Sequence, residues 1–508
     1  MSKQNENKKL TLTALILMIF TSVYGFTNMP RAFFLMGYAA IPWYILSALL
    51  FFIPFAFMVS EYGAAFKDEK GGMYSWMEKS VSGRFAFIAT FMWYASYIIW
   101  MVSVGSGIWV PLSFGIYGED RTQTWSLFGN LTSVQTLGVL GIIWILFVTA
   151  VGSKGVDKIS KITNIGGTAC ALMNVVLLIG GLLVAGKNGK FAQPIGNFAK
   201  AFTVSPDVNY QSGIGILSFL TFAIFAYGGL EVVGGLVDKT EDAEKNFPKG
   251  VTVSAIIIAV GYAIGIFVIG MFTNWEEVMH QDGIHLGNVA YKTIQNLGYE
   301  IGSAFGAKEA TCVMLGHTMG RVVGISMFLA LTGAFFTLTY SPLKTLIQGA
   351  PEDLWPGKLG EMDENGMPKH AMWIQAIIVI CIMALVSFGG KNANEFFRIL
   401  TLMVNVAMTL PYLFLAVAFK SFKEKQFRGE ISSSFKIYKT QGKATAFSYI
   451  VAFVIAFANV FTIIQPAIDS ADGWKDSVVM VLGPVLFAVI AMVLYGKYEK
   501  KAQTVSAR

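Results

Sequence analysis

The sequence predicts an all-α membrane protein with twelve transmembrane helices, and three observations support this prediction. Of its 508 residues, 55% are hydrophobic and only 14% are charged, whereas charged residues make up about a quarter of a typical soluble domain. Apolar runs long enough to cross a hydrocarbon core recur along the whole chain. Glycine and polar residues interrupt the first and sixth of these runs, which predicts that these two helices are broken.

Twelve apolar runs of about 20 residues, the length that spans a bilayer, form spans 1 to 12 in chain order. In the first half they cover residues 10–38, 41–66, 85–116, 134–152, 162–186 and 212–237. In the second half they cover residues 250–273, 318–348, 372–389, 396–419, 444–466 and 477–496. An even number of spans places both ends of the chain on the same side of the membrane.

Lysine and arginine decide the orientation, because they accumulate in cytoplasmic connections. With the N-terminus inside, the inner connections and tails hold 26 of the 38 Lys and Arg residues, and the outer connections hold 8. The sequence therefore predicts a multi-pass protein of the bacterial cytoplasmic (inner) membrane with both termini cytoplasmic.

The predicted breaks in spans 1 and 6 have the composition of a binding site. Span 6 contains FAIFAYGGLEVVGGLVD, residues 222–238, which places Gly228, Gly229 and Glu231 inside an apolar run. Span 1 contains TSVYGFTNMP, residues 21–30, with polar side chains, a glycine and a proline. Lipid penalises unsatisfied backbone groups unless they line a cavity or are buried in protein, so both stretches predict helices that open beside a cavity.

The two broken spans are five apart, the spacing expected when two five-helix units, spans 1–5 and 6–10, repeat with inverted topology. Half-helix ends at the midplane offer N–H groups to an anion and carbonyls to a cation, and a zwitterionic amino acid carries both charges. Spans 11 and 12 are then peripheral helices. The predicted segments are a cytoplasmic tail (1–9), an inverted-repeat transport core (10–419), a basic cytoplasmic loop (420–443), the peripheral helices (444–496) and a second cytoplasmic tail (497–508).

The connection 274–317 is too long for a bare loop. Its apolar residues fall at helical spacing: Leu286, Val289, Ala290, Ile294, Leu297 and Ile301. This pattern predicts an amphipathic helix on the outer face, which acts either as a lid or as a cover over the span ends.

Four stretches together resemble the amino acid, polyamine and organocation transporter superfamily. They are SVYGFTNMP in span 1, EKGGMYSW at 69–76, FAYGGLEVVGGLVDKTEDAEKNFPKG at 225–250 and SPLKTLIQGAPEDLWP at 341–356. The chain is similar to the bacterial glutamate:GABA antiporters and most similar to an inner-membrane permease subgroup without a settled substrate. The resemblance implies alternating access and a substrate held by spans 1, 3, 6, 8 and 10. The chain departs from the superfamily at Tyr24, where other members carry a small residue.

The residues predicted to bind substrate lie in those five spans: Ser22, Tyr24, Gly25, Trp93, Tyr97, Phe225, Tyr227, Gly228, Gly229, Thr332 and Asn405. Glu231 is predicted to couple transport to protons, because an acid at the centre of a span costs about 2.5–3.5 kcal/mol on insertion scales and is a functional candidate by default.

Alternatives stay open for several of these residues. Trp93, Tyr97 and Trp100 either form an aromatic wall over the substrate, pack against neighbouring helices or belong to an interface belt. Four side chains bond either the substrate, their own helix or a neighbouring one: Thr332, Thr337, Asn405 and Thr409. Arg31 meets either a substrate carboxylate, the membrane interface or a neighbouring acid. Glu61 is predicted to be a gate or a packing element.

The sequence predicts a secondary active transporter, permease or antiporter, for an amino acid or its amine derivative, linked to protons through Glu231. The alternatives are a nutrient sensor that binds without flux and a sodium-coupled symporter, in which Thr332 and Thr337 would hold the ion together with carbonyls of span 1. No enzyme is predicted, because the four histidines lie in connections or at span edges without ligand spacing, and neither a cofactor nor a metal is expected. The expected partners are the small-molecule substrate and membrane lipid, with no nucleic acid, and the chain is expected to be a monomer or a homodimer.

Overall fold

The computed structural model describes residues 9–506, without the side chains of residues 128, 392–396, 505 and 506. Its regular elements in that range are helices, and the strand-like pairing described there is an isolated bridge between Leu10 and Thr240. Residues 1–8 and 507–508 of the two predicted tails lie outside the described residues. The predicted all-α membrane fold is confirmed.

Within the described range, eleven helical segments are long and apolar enough to cross a membrane. The first of them, Leu12–Ala65, has 54 residues, and at about 1.5 Å per residue it is more than twice as long as the hydrocarbon core is thick. A turn at Gly37–Ala39 divides it, with Gly37 at a φ of 55°. The first segment therefore contains the two predicted spans 1 and 2, and the eleven segments account for twelve spans.

Both predicted interruptions are present in the first half. Span 1 comprises Leu12–Val23 and Asn28–Met36, and span 6 comprises Gly213–Phe225 followed by a 3-10 helix, Leu230–Lys239. Span 2 comprises Ala40–Ser47 and Ile53–Ala65, joined by the π-helical turn Ala48–Phe52, and span 3 comprises Gly83–Gly107 and Trp109–Tyr117. Span 4 is Ser133–Gly152 and span 5 is Val156–Asn188. Two shorter helices, Met73–Ser80 and Phe198–Thr203, lie in connections. Short 3-10 turns lie at Thr122–Thr124, Leu127–Gly129 and Val208–Tyr210.

The second half contains longer helices. Spans 7 to 9 are Ala243–Phe272, Glu309–Gly349 and Lys369–Phe388; span 10 comprises Gly390–Ala407 and Leu410–Phe427; spans 11 and 12 are Gln441–Asp469 and Trp474–Ser506. A 3-10 turn, Glu352–Leu354, follows span 8. The connection 274–317 contains a π-helical turn, Trp275–Met279, and the helix Val289–Ala304. The predicted helix is confirmed, but Leu286, expected on its apolar face, precedes it and is exposed.

Several helices differ from the expected spans. Spans 5, 7, 8 and 10 begin six to nine residues earlier than expected, at Val156, Ala243, Glu309 and Gly390. Span 3 is interrupted at Ile108, three residues before Pro111, which cannot donate to the carbonyl of Gly107 and clashes with it. Span 10 continues to Phe427, so the first residues of the expected basic loop are helical. Span 12 continues to Ser506 through most of the expected C-terminal tail.

Glycines allow spans to pack backbone to backbone. A β-carbon on Gly166 of span 5 would lie against the carbonyl of Leu329 in span 8, and one on Gly333 of span 8 would lie 3.0 Å from the Cα of Thr163. Large apolar side chains such as Leu182 and Phe453 are exposed on the outside of the bundle. These two surfaces are typical of helices that bury small residues against each other and present large ones to lipid.

Candidate functional site

The breaks in spans 1 and 6 face each other through their main chains. Gly229 has a φ of 109°, and a β-carbon there would lie less than 3.0 Å from the carbonyl oxygen of Ser22. The Tyr262 hydroxyl of span 7 accepts from the N–H of Gly25 at 3.0 Å and donates to the Ala226 carbonyl at 3.1 Å. The close approach requires glycine at position 229, and one tyrosine satisfies freed groups of both breaks.

A cavity of about 580 Å³, the central cavity, opens beside these breaks. Spans 1, 3, 6, 8 and 10 line it, together with Phe51 of span 2 and Thr462 of span 11. Seven residues predicted to bind substrate are on its wall: Ser22, Gly25, Tyr97, Phe225, Gly228, Gly229 and Asn405. The structure therefore brings most of the predicted site together around one space.

Two of the remaining predicted residues pack away from the central cavity. The Tyr227 hydroxyl donates to the Tyr44 carbonyl at 3.2 Å, and its ring stacks on Phe52. The Thr332 hydroxyl donates to the Phe328 carbonyl of its own helix at 2.7 Å. For Thr332, the structure has the intrahelical bond that was one of its predicted alternatives.

Tyr24 and Trp93 lie next to the central cavity without lining it. Tyr24 lines a neighbouring space, and its hydroxyl donates to Oδ1 of Asn174 at 2.6 Å. Trp93 is fully buried, and its Nε1 donates to Oε1 of Glu231 at 3.0 Å. Trp93 therefore contacts the predicted proton-coupling acid rather than the cavity.

Glu231 lies directly behind the wall of the central cavity. It is 1% exposed, and its Oε1 also accepts from the hydroxyl of Tyr97 at 3.3 Å. Its Oε2 has no hydrogen-bond partner among the described residues. Because Tyr97 is itself a wall residue, one side chain separates the carboxylate from the cavity, and the groups that contact the carboxylate are neutral: Trp93, Tyr97 and Tyr412.

Tyr412 was not among the residues predicted from the sequence. It lines the central cavity, its hydroxyl accepts from the N–H of Gly229 at 2.8 Å, and it interacts electrostatically with Glu231. It therefore joins span 10 to the break in span 6. The wall also contains Thr409, a hydrogen-bonding candidate from the sequence, and these polar residues outside the predicted substrate-binding set: Thr21, Asn28, Ser103, Thr401 and Thr462.

A second cavity of about 390 Å³, the vestibule, adjoins the central cavity. Both cavities are lined by Thr21, Gly25, Ser103 and Leu331. Gly287 and Tyr291 of the connection 274–317 also line the vestibule. The two cavities therefore lead from the breaks toward the face that carries this connection.

The opposite face, the basic face, carries the connections 67–84, 238–249, 349–371 and 420–443. Packed side chains close the path from the breaks to this face beside span 6. Lys344 of span 8 is buried; it forms an ion pair with Asp238 and donates to the Gly235 carbonyl at 3.0 Å. A β-carbon on Gly72 would lie 2.7 Å from the main chain of Gly234, and the ring of Trp76 packs against Gly234. The helix Met73–Ser80 of the EKGGMYSW stretch thus packs directly on the 3-10 half of span 6.

A buried ion pair fastens the connection after span 10 to this basic face. Glu61 and Lys423 are both fully buried, with Oε2 and Nζ 2.7 Å apart. Oε1 of Glu61 accepts from the backbone N–H groups of Ile437 and Tyr438, each at 2.7 Å. Glu61 therefore holds a segment that lies 376 residues away in sequence, in agreement with its predicted role in packing or gating.

A half-buried acid on the same face makes a second contact with the connection after span 10. Glu244 accepts from Lys67 and from the hydroxyl of Ser434. Among the described residues no group of three or more His, Cys, Asp or Glu side chains is placed to hold a metal ion.

Sequence comparisons agree with this architecture. Residues 10–490 match a family model described as amino acid permease. The chain is 50% identical to the inner membrane transporter YjeM of Salmonella typhimurium (strain LT2) over 495 residues, 97% of each chain.

Two more distant relatives also match nearly end to end. The aspartate/glutamate permease AcaP of Lactococcus lactis subsp. cremoris is 24% identical over 96% of this chain and 95% of its own. The glutamate/gamma-aminobutyrate antiporter of Lactococcus lactis subsp. lactis is 21% identical over 90% of this chain and 84% of its own. All three relatives are named as transporters and none as an enzyme, and the resemblance inferred from the four motifs is confirmed.

Proposed function

The chain belongs to the amino acid permease family and is a membrane transporter of amino acids or amines, and from that premise we propose that it works by alternating access with proton linkage through Glu231. The observation that carries this proposal is the buried Glu231 carboxylate, which meets only the neutral donors Trp93, Tyr97 and Tyr412 among the described residues and forms no ion pair there. One side chain, Tyr97, separates it from the central cavity. A buried carboxylate without full compensation gains from binding a proton or a cationic group.

The asymmetry of the two faces supports alternating access. The vestibule and the central cavity share four wall residues, whereas the ion pair Lys344–Asp238 and the helix Met73–Ser80 close the basic face. Release of substrate on the basic side then requires the 3-10 half of span 6 to part from span 8. Spans 1–10 (residues 10–419) form the transport core in this proposal, and the basic face and both termini are cytoplasmic.

Proteoliposome flux tests the proposal. Wild-type protein is expected to exchange external labelled amino acid against internal amino acid, and an inward proton gradient is expected to stimulate net uptake. Glu231→Gln removes the titrating group, so exchange is expected to persist while the stimulation disappears. Glu364→Gln, at an exposed acid on the connection 349–371, is the matched control. Unchanged stimulation in Glu231→Gln removes the proton-coupling role.

Two alternatives give different results in the same vesicles. A sensor binds its ligand, seen as thermal stabilisation, but shows neither exchange nor uptake. A sodium symporter loses uptake in sodium-free buffer regardless of the proton gradient. The Thr337 hydroxyl, a candidate sodium ligand, already contacts Thr163 and the Gly333 carbonyl.

A further inference from the structure

Arg31 provides the only formal charge on the described walls of the vestibule and the central cavity. It lies in the second half of span 1, immediately after Pro30. Every other wall residue of the two cavities is apolar, a glycine, or a neutral polar side chain. The path from the open face to the breaks therefore carries one positive charge.

This guanidinium has no acidic partner in the described part of the chain. Its Nε donates to the Leu286 carbonyl at 2.8 Å, and the titratable groups that interact with it are the neutral hydroxyls of Tyr291 and Tyr44. Asp120 is the acid near Tyr291, but its Oδ1 accepts from the N–H and the hydroxyl of Thr122. The described residues therefore show no ion pair between Arg31 and a neighbouring acid, which was one of the alternatives considered from the sequence.

A partly buried cation at membrane depth is expensive unless an anion or water compensates it. Arginine offers five donors in a planar fork that matches a carboxylate, and the bond from Nε to Leu286 leaves both terminal nitrogens for a ligand. The vestibule, which Arg31 lines, shares Thr21, Gly25, Ser103 and Leu331 with the central cavity. A solute that enters through the vestibule therefore meets the guanidinium before it reaches the breaks.

We propose that Arg31 in the vestibule is a recognition site for the carboxylate of the incoming substrate. The inference rests on the proposed transport function and narrows its substrate class: the chain carries solutes with a carboxylate, such as amino acids and ω-amino acids, and excludes diamines without one. A diamine brings no carboxylate to pair with the guanidinium. Its ammonium groups meet the like charge of Arg31 in the vestibule before they can approach the Glu231 carboxylate, which lies behind the wall of the central cavity.

The test compares Arg31→Gln and Arg31→Lys with wild-type protein in proteoliposomes, using labelled glutamate, γ-aminobutyrate and putrescine as probes. Removing a charge-assisted hydrogen bond lowers affinity about tenfold. Arg31→Gln is therefore expected to raise the KM for the transported carboxylate probe about tenfold with Vmax within about twofold. Arg31→Lys keeps the charge without the fork, so it is expected to recover part of the loss.

Arg321→Gln is the matched control, since Arg321 lies exposed on span 8 and lines neither cavity; its KM is expected to equal that of wild type. Thermal stabilisation of purified protein by each probe gives a readout that does not require flux. If wild-type protein binds carboxylate probes but moves none of them, transport fails as the proposed function while the Arg31 assignment is still tested by binding. Equal stabilisation of wild type and Arg31→Gln, no stabilisation by either carboxylate probe, or preferential binding of putrescine would overturn the assignment.

Discussion

Replacement of Gly229 by alanine tests whether the two breaks must touch for the site to form. Gly229 has a φ of 109°, and an added β-carbon would lie less than 3.0 Å from the Ser22 carbonyl oxygen. A non-glycine residue in such a left-handed conformation costs about 1–3 kcal/mol, and overpacking against fixed atoms costs about another 1–3 kcal/mol. The two costs add to about 2–6 kcal/mol, and they destabilise the conformation in which spans 1 and 6 approach each other.

Because tenfold in affinity corresponds to about 1.4 kcal/mol, even the lower bound predicts a loss of about 30-fold or more. We expect Gly229→Ala to insert into the membrane and to lose substrate-dependent thermal stabilisation and uptake. Gly186→Ala is the control: Gly186 lies in the helix of span 5, and a β-carbon there meets nothing within 4 Å. Wild-type affinity and uptake in Gly229→Ala would refute the reasoning that the breaks need this main-chain contact.

Two further substitutions probe the surroundings of the site. Tyr412→Phe removes the hydroxyl that accepts from Gly229 at 2.8 Å; loss of one such bond costs about 1 kcal/mol, and we expect a KM raised roughly fivefold, measured by uptake, whereas an unchanged KM would show that the bond is dispensable. Lys423→Met leaves the buried Glu61 carboxylate without its cation, which costs about 3–5 kcal/mol and is expected to lower the thermal unfolding temperature. Adding Glu61→Gln to Lys423→Met is expected to restore part of that stability, and strict additivity of the two substitutions would contradict direct coupling.

The fold was predictable because its main signals are local in the sequence. The apolar runs give the number of spans, and polar or glycine residues inside an apolar run have few explanations other than a cavity. Gly228, Gly229 and the span 1 stretch 21–30 therefore marked both breaks correctly. The extra interruption in span 3 also had a local signal, Pro111, which the apolar composition of that run obscured.

Contacts between distant segments were less accessible to sequence reasoning. Tyr412 looks like any aromatic residue of an apolar span, and only the packing of span 10 brings its hydroxyl to Gly229. Tyr227 lies between two cavity residues, Phe225 and Gly228, yet the turn rotates it into an aromatic cluster with Tyr44. Periodicity cannot assign a face to a residue in a non-helical turn.

The most direct test of the account is the accessibility of the central cavity in the presence and absence of substrate. Asn405→Cys, introduced after replacement of Cys170, Cys312 and Cys381 by serine, places a thiol on the cavity wall, and Val208→Cys places one on the exposed connection between spans 5 and 6 as a control. We predict that a membrane-impermeant thiol reagent labels the first variant and that transported amino acid slows this labelling in proportion to its occupancy, with no effect on the second. Labelling of Asn405→Cys that substrate leaves unchanged, at a concentration that saturates uptake, would contradict the central claim that substrate binds between the broken spans.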